Sequence, residues 1–100
     1  MEEIQLKVGE EQSINIGDYL FYFHFDPFNR EWQFDMSDLT GNNIYTNMVI
    51  RINTCPFYDI SDKYGYPNIV LIDKEPDSKE EINPLLDFGD RIGLFEIMEV

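Results

Sequence analysis

A chain of 100 residues has length for one domain, and its 43% hydrophobic and 15% aromatic content supplies a core despite a net charge of −13. Twenty acids against seven bases exclude nucleic acid and anionic membrane as natural direct partners, because each phosphate contact must overcome the field of the whole molecule. The one cysteine, Cys55, excludes an intrachain disulfide and a multi-cysteine zinc site, and no run approaches the roughly 20 apolar residues of a membrane-spanning helix. The opening Met1-Glu2-Glu3 lacks the basic and apolar regions of a signal peptide, so the expectation is a soluble acidic domain over residues 1–100, made in a reducing cytoplasm.

In chain order, Ile4 to Val8 alternates apolar with polar and predicts a half-buried strand, which Gly9-Glu10-Glu11 turns. Ser13 to Ile16 alternates again and leads through Gly17-Asp18 into the richest stretch, Tyr19 to Met36. There Tyr19, Phe21, Phe23 and Phe25 share one face and Leu20, Tyr22 and His24 the other, the period of two that a strand imposes. Trp32, Phe34 and Met36 alternate with Gln33, Asp35 and Ser37, so a second arm repeats the pattern. Asp26 to Glu31 between them holds a proline without a ladder donor, plus Asp and Asn, and predicts the turn of a β-hairpin. Phe21, Phe23, Phe25, Trp32, Phe34 and Met36 are the expected core. Asp35, on the polar face, is expected to point to solvent or to a partner and to tolerate asparagine.

Ser37 to Asn43 is a turn cluster around Gly41. From Ile44 to Ile52 the residues Ile44, Thr46, Met48, Ile50 and Ile52 alternate with Tyr45, Asn47, Val49 and Arg51, a strand in which Val49 alone breaks the polar face. Regularity fails over about 53–68, where Pro56, Gly65 and Pro67 punctuate a segment still containing Phe57, Tyr58, Ile60, Tyr64 and Tyr66. A long irregular loop, or one short helical turn held down by aromatics, is expected. Ile69 to Ile72 is a brief apolar run and reads as a strand buried on both faces. Asp73 to Glu81, with five acids, two lysines and a proline, reads as a solvated loop. Ile82 to Gly89 then leads into a final strand from Arg91 to Met98. Short strands, turn signals and no helical period give an all-β antiparallel domain, either a small barrel or a two-sheet sandwich. The barrel is slightly preferred, because closure hides edges that invite pairing with neighbours.

Chemistry is sparse. His24, the only histidine, lies mid-strand among aromatics, where packing explains it better than base catalysis or metal ligation. Cys55 has at most one histidine to activate it, and no serine sits in a nucleophile-elbow context. Asp73, Glu75 and Asp77 have the alternate spacing of a calcium loop, but the sixth position is Ser78 rather than Gly and the twelfth is Pro84 rather than Glu. Asp35, Asp38 and Asn42 around Gly41 are explained by turn chemistry. The expectation is therefore a protein that is not an enzyme, with no cofactor, no metal and no small-molecule substrate.

The order of REWQFDMSDLTGNNI (30–44), Pro56-Phe57, Tyr64-Gly65-Tyr66-Pro67 before Ile69 to Asp73, and Asp87 to Leu94 resembles the small plug proteins of phage tail baseplates. The resemblance covers roughly four fifths of the chain, from about Tyr19 to Met98, and rests on turn and strand signatures. The final Phe95-Glu96-Ile97 and the strongly acidic 73–81 loop depart from it. It implies a virion structural protein that plugs or braces the central hub of a tail baseplate, in a symmetric multicopy arrangement with other tail or hub proteins. Gly41, Gly65, Pro67 and Gly89 are the turn residues of this pattern, and Asp35, Asp73, Glu75, Asp77, Glu80 and Glu81 are the candidate partner-binding acids. A competing reading is an acidic inhibitor that mimics nucleic acid and blocks a nuclease or DNA-binding protein.

Overall fold

The structure is a computed structural model that describes residues 1–97, so Met98, the expected end of the last strand, lies outside the described residues. Its elements are β1 (Glu2–Ile4), β2 (Gln12–Ile16), β3 (Tyr19–Asp26), β4 (Glu31–Asp38), β5 (Asn43–Ile50), α1 (Ser61–Tyr64), β6 (Ile69–Asp73) and β7 (Ile92–Glu96). They form an antiparallel meander β2-β3-β4-β5 and a second antiparallel sheet β1-β7-β6, packed as a sandwich.

The aromatic hairpin is the centre of the first sheet, with Phe21 opposite Met36, Phe23 opposite Phe34 and Phe25 opposite Trp32. Phe21, Phe23, Phe34 and Met36 are fully buried, Trp32 is nearly so and Phe25 is half-buried. From the second sheet Ile69, Leu71, Ile92 and Leu94 face them across the core. Val70 is also buried, so β6 is covered on both faces. Burial of this apolar surface is the main favourable term in holding the sheets together.

The barrel does not form. Among the described residues no strand ladder joins the sheets, and the parallel bridge between Ile52 and Leu71 is their one backbone pairing of strand type. Two local events replace closure. After Leu6 the Gln12 side chain accepts the Lys7 N–H at 2.8 Å and donates to the Lys7 and Glu10 carbonyls, which bends the chain out of one sheet and into the other. The first strand is accordingly Glu2–Ile4 rather than Ile4 to Val8. After β5 Phe57, fully buried, packs against Phe21, Phe34, Tyr45 and Tyr66.

The third difference lies in β5, which ends at Ile50 and not at Ile52. Its register against β4 shifts between Phe34 and Met36 and again between Met36 and Ser37, with Asn47 at φ 55°. An extra residue at such a bulge exchanges the faces beyond it. Tyr45 therefore packs on Phe57 and Tyr66 while Thr46 is exposed, the reverse of the simple alternation.

A candidate docking pole

Antiparallel pairing gathers four connections at one end of the sandwich. Asp26 pairs with Glu31 beside the β3–β4 turn, Trp32 lies opposite Ile50 where β5 ends, and Asp73 lies opposite Ile92 where the 74–91 connection begins and ends. The β1–β2 turn joins them, since the Gly9 N–H donates to the Phe88 carbonyl at 2.8 Å.

The β3–β4 turn is held by one carboxylate. Asp26 accepts hydrogen bonds from the Phe28 N–H at 3.0 Å, the Asn29 N–H at 3.4 Å, the Asn29 side chain at 2.9 Å and the Gln33 side chain at 3.5 Å. The Asn29 amide and then the two backbone donors keep the Asp26 carboxyl below its ordinary range, although burial opposes them. What this turn presents is Phe28, 95% exposed. Arg30 closes it at φ 54°.

Beside the turn lies a pocket of about 210 Å³ walled by Trp32, Ile52, Leu71, Ile82, Phe88 and Ile92. The Trp32 and Phe88 rings stack at 3.9 Å, and the indole N–H donates to the Pro84 carbonyl at 2.7 Å, so this wall is fixed. Arg30 and Arg51 also line the pocket, two of the three arginines in the chain. Arg51 pairs with Glu31 at 2.8 Å. Exposed Val8 and Leu86 belong to the neighbouring turns of the same pole.

The acidic connection reaches this pole as well. Arg91 donates to both oxygens of Asp73, at 2.9 and 3.0 Å, and to the carbonyls of Glu80 and Glu75 at 2.8 and 3.2 Å. That bidentate contact holds the Asp73 carboxyl below its ordinary range and raises the guanidinium above its own. Asp73 is thus engaged internally, whereas Glu75, Asp77, Glu80 and Glu81 are exposed.

Asp35 is not with them. It lies on the outer face of the meander, where its Oδ1 accepts the Asn47 N–H at 2.8 Å and contacts His24 Nε2 at 3.0 Å. Burial pushes its carboxyl up, but the Asn47 N–H and His24 outweigh this and leave it lowered. Of the turn residues, Gly41 (φ 93°) follows β4, Gly65 (φ 68°) ends α1 and Pro67 is buried beyond it. Gly89 is the constrained one, because at φ 87° a side chain is disfavoured and a Cβ would lie 3.1 Å from both Leu6 Cβ and the Lys7 carbonyl oxygen.

His24 stacks on Tyr22 with ring centres 5.5 Å apart, and Cys55 is half-buried and unpaired. Among the described residues no group of three or more His, Cys, Asp or Glu is placed to hold a metal. Comparison with family models, curated proteins and solved structures returns no match. Phe28 and Phe88 are the aromatics of this pole that the strand pattern does not single out. Their signal lies in the turn sequence itself: an exposed aromatic inside an Asp-Pro-Phe-Asn turn has no local structural task, and Phe88 precedes a glycine that must pack closely.

Proposed function

We propose that this protein is a non-catalytic structural subunit that docks into a larger protein assembly through its pocket-bearing pole, in the manner of a phage tail baseplate plug that braces the hub. The observation that supports a docking role is Phe28, held away from the core by Asp26 and set beside an apolar pocket whose lining includes Arg30 and the Arg51–Glu31 pair. Aromatic and arginine side chains are the anchors that protein interfaces favour, and a turn fixed before contact loses little entropy on binding. The exposed acids Glu75, Asp77, Glu80 and Glu81 belong to the connection at the same end of the sandwich and suit a basic partner surface. The tail-baseplate identity of the assembly, its place in the virion and its symmetric multicopy arrangement rest on the order of turn and strand signatures from about Tyr19 onward.

A nucleic-acid mimic is less well supported. It needs many free carboxylates spaced like phosphates, and Asp26, Asp35, Asp38, Asp73 and Asp87 already accept hydrogen bonds from their own chain.

The test is affinity capture with the full chain from cells producing it, with mass-spectrometric identification of what is retained. Tail and hub proteins are expected, and a Glu75→Gln/Asp77→Asn/Glu80→Gln/Glu81→Gln variant is expected to retain less of them as salt rises while its melting temperature is nearly unchanged. Retention of a nuclease instead, with labelled DNA displaced from it, would transfer the reading to the mimic.

A further inference from the structure

We infer that a pocket on the outer face of the meander takes an arginine side chain presented by a basic partner protein. The pocket lies toward the end of β3 and β4 away from the 26–31 turn, and the inference stands without the docking role proposed for that pole.

Three strands build this pocket at one level. Leu20 is opposite Ser37, Tyr22 is opposite Asp35 and Ser37 is opposite Asn43, with the turn that holds Gly41 beside them. The volume is about 180 Å³, room for one side chain rather than for a ligand that fills the roughly 300–1,000 Å³ typical of small-molecule sites. Short Ser37 and Gly41 leave the depression among longer neighbours, and a Cβ at Gly41 would meet nothing within 4 Å. Solvent reaches the walls. Leu20 is 37% exposed, Tyr22 39% and the Asp35 side chain 38%, and Asn43 is exposed as well.

The pocket is rich in acceptors. The Asn47 N–H and His24 both meet Asp35 at Oδ1, and the Asn43 side chain donates to the Thr46 hydroxyl. Among the described residues this leaves Asp35 Oδ2, Asn43 Oδ1 and the Ser37 hydroxyl without a hydrogen-bond partner, and no lysine or arginine lines the pocket. The ring at the rim is held in place, since Tyr22 stacks on His24 and its hydroxyl donates to Glu11 at 3.3 Å. Burial, then Glu11 and then Asp35 raise the Tyr22 hydroxyl above its ordinary value, and the two carboxylate contributions mark a negative potential here.

Three oxygens under a negative potential call for a cation with several donors, and the net charge of −13 works against an anion. Arginine suits the pocket better than lysine, because its guanidinium is a planar array of five donors, is more weakly hydrated than an ammonium and stacks on aromatic rings. Arginine is also enriched at protein interfaces where lysine is depleted. A neutral sugar could use the same ring and oxygens, and the experiment separates it from arginine.

The full chain is titrated with Nα-acetyl-arginine amide, with the lysine equivalent and with methyl glucoside, and backbone amide shifts are followed by NMR. Saturable shifts centred on residues 20–22, 35–37 and 41–43 are expected with the arginine compound, binding about threefold or more weaker with the lysine compound, and no shifts with the glucoside. Asp35→Asn keeps an oxygen for the Asn47 N–H, and Asn43→Lys brings a cation to an exposed position of the lining. Each should stay folded, by the dispersion of its spectrum, and weaken arginine binding by about tenfold or more. Four outcomes overturn the inference: no saturable arginine binding at these residues, lysine binding as tight as arginine, shifts with the glucoside instead, or wild-type binding by either folded variant.

Discussion

The carboxylate of Asp35 sits where β4 meets the bulge of β5, between the Asn47 N–H and the imidazole of His24. A bulge leaves a backbone donor without its ladder partner, and here a side chain supplies the acceptor. Asp35 is therefore not a free surface acid, as its place on the polar row implied. Replacing it with alanine should cost about 1 kcal/mol, the loss of two hydrogen bonds discounted for a site that solvent reaches. Asparagine keeps an oxygen for the Asn47 N–H and should lose less. Urea unfolding of both variants, with amide exchange at Asn47, checks this; an alanine variant with wild-type stability and a protected Asn47 amide would show that the bulge does not depend on the carboxylate.

Elements with strict alternation were legible from the sequence because both arms of the β3–β4 hairpin use the period of two without interruption. The bulge was not, since Val49 looked like an isolated exception when it lies within a strand whose faces exchange at Asn47. The choice of sandwich over barrel is not legible in the sequence for a related reason. Phe57 comes from a segment with no periodicity, and only its contacts with Phe21, Phe34, Tyr45 and Tyr66 reveal that it seals the side of the sandwich. Phe57→Ala should accordingly destabilise by about 3–5 kcal/mol, as much as Phe34→Ala from the centre of the hairpin. Chemical denaturation of the two variants side by side is the measurement. A loss below about 1 kcal/mol for Phe57→Ala would mean that the loop collapses to fill the space and is no structural part of the core.

Across the whole molecule the excess of acid is partly committed to the fold. Asp26, Asp38 and Asp73 are held below the ordinary carboxylate value of 3.8 by hydrogen bonds from Asn29, Thr40 and Arg91 respectively, and Asp35 is lowered too once its bonds outweigh burial. A carboxylate with a depressed folded pKa stabilises fully above its unfolded value and ceases to do so as pH falls through the folded one. Stability should therefore hold from neutral pH to about pH 5 and then decline as pH falls below 3.8. Thermal melts across that range check it, and a melting temperature still rising below 3.8 would show that relief of charge repulsion outweighs these four groups. The 26–31 turn takes this separation of duties furthest. Asp26 and Asn29 hold its shape, while the side chain at position 28 touches little of its own molecule. A change of that one side chain therefore leaves stability and folding almost untouched, and under the docking role proposed above it would alter recognition while the scaffold stays fixed.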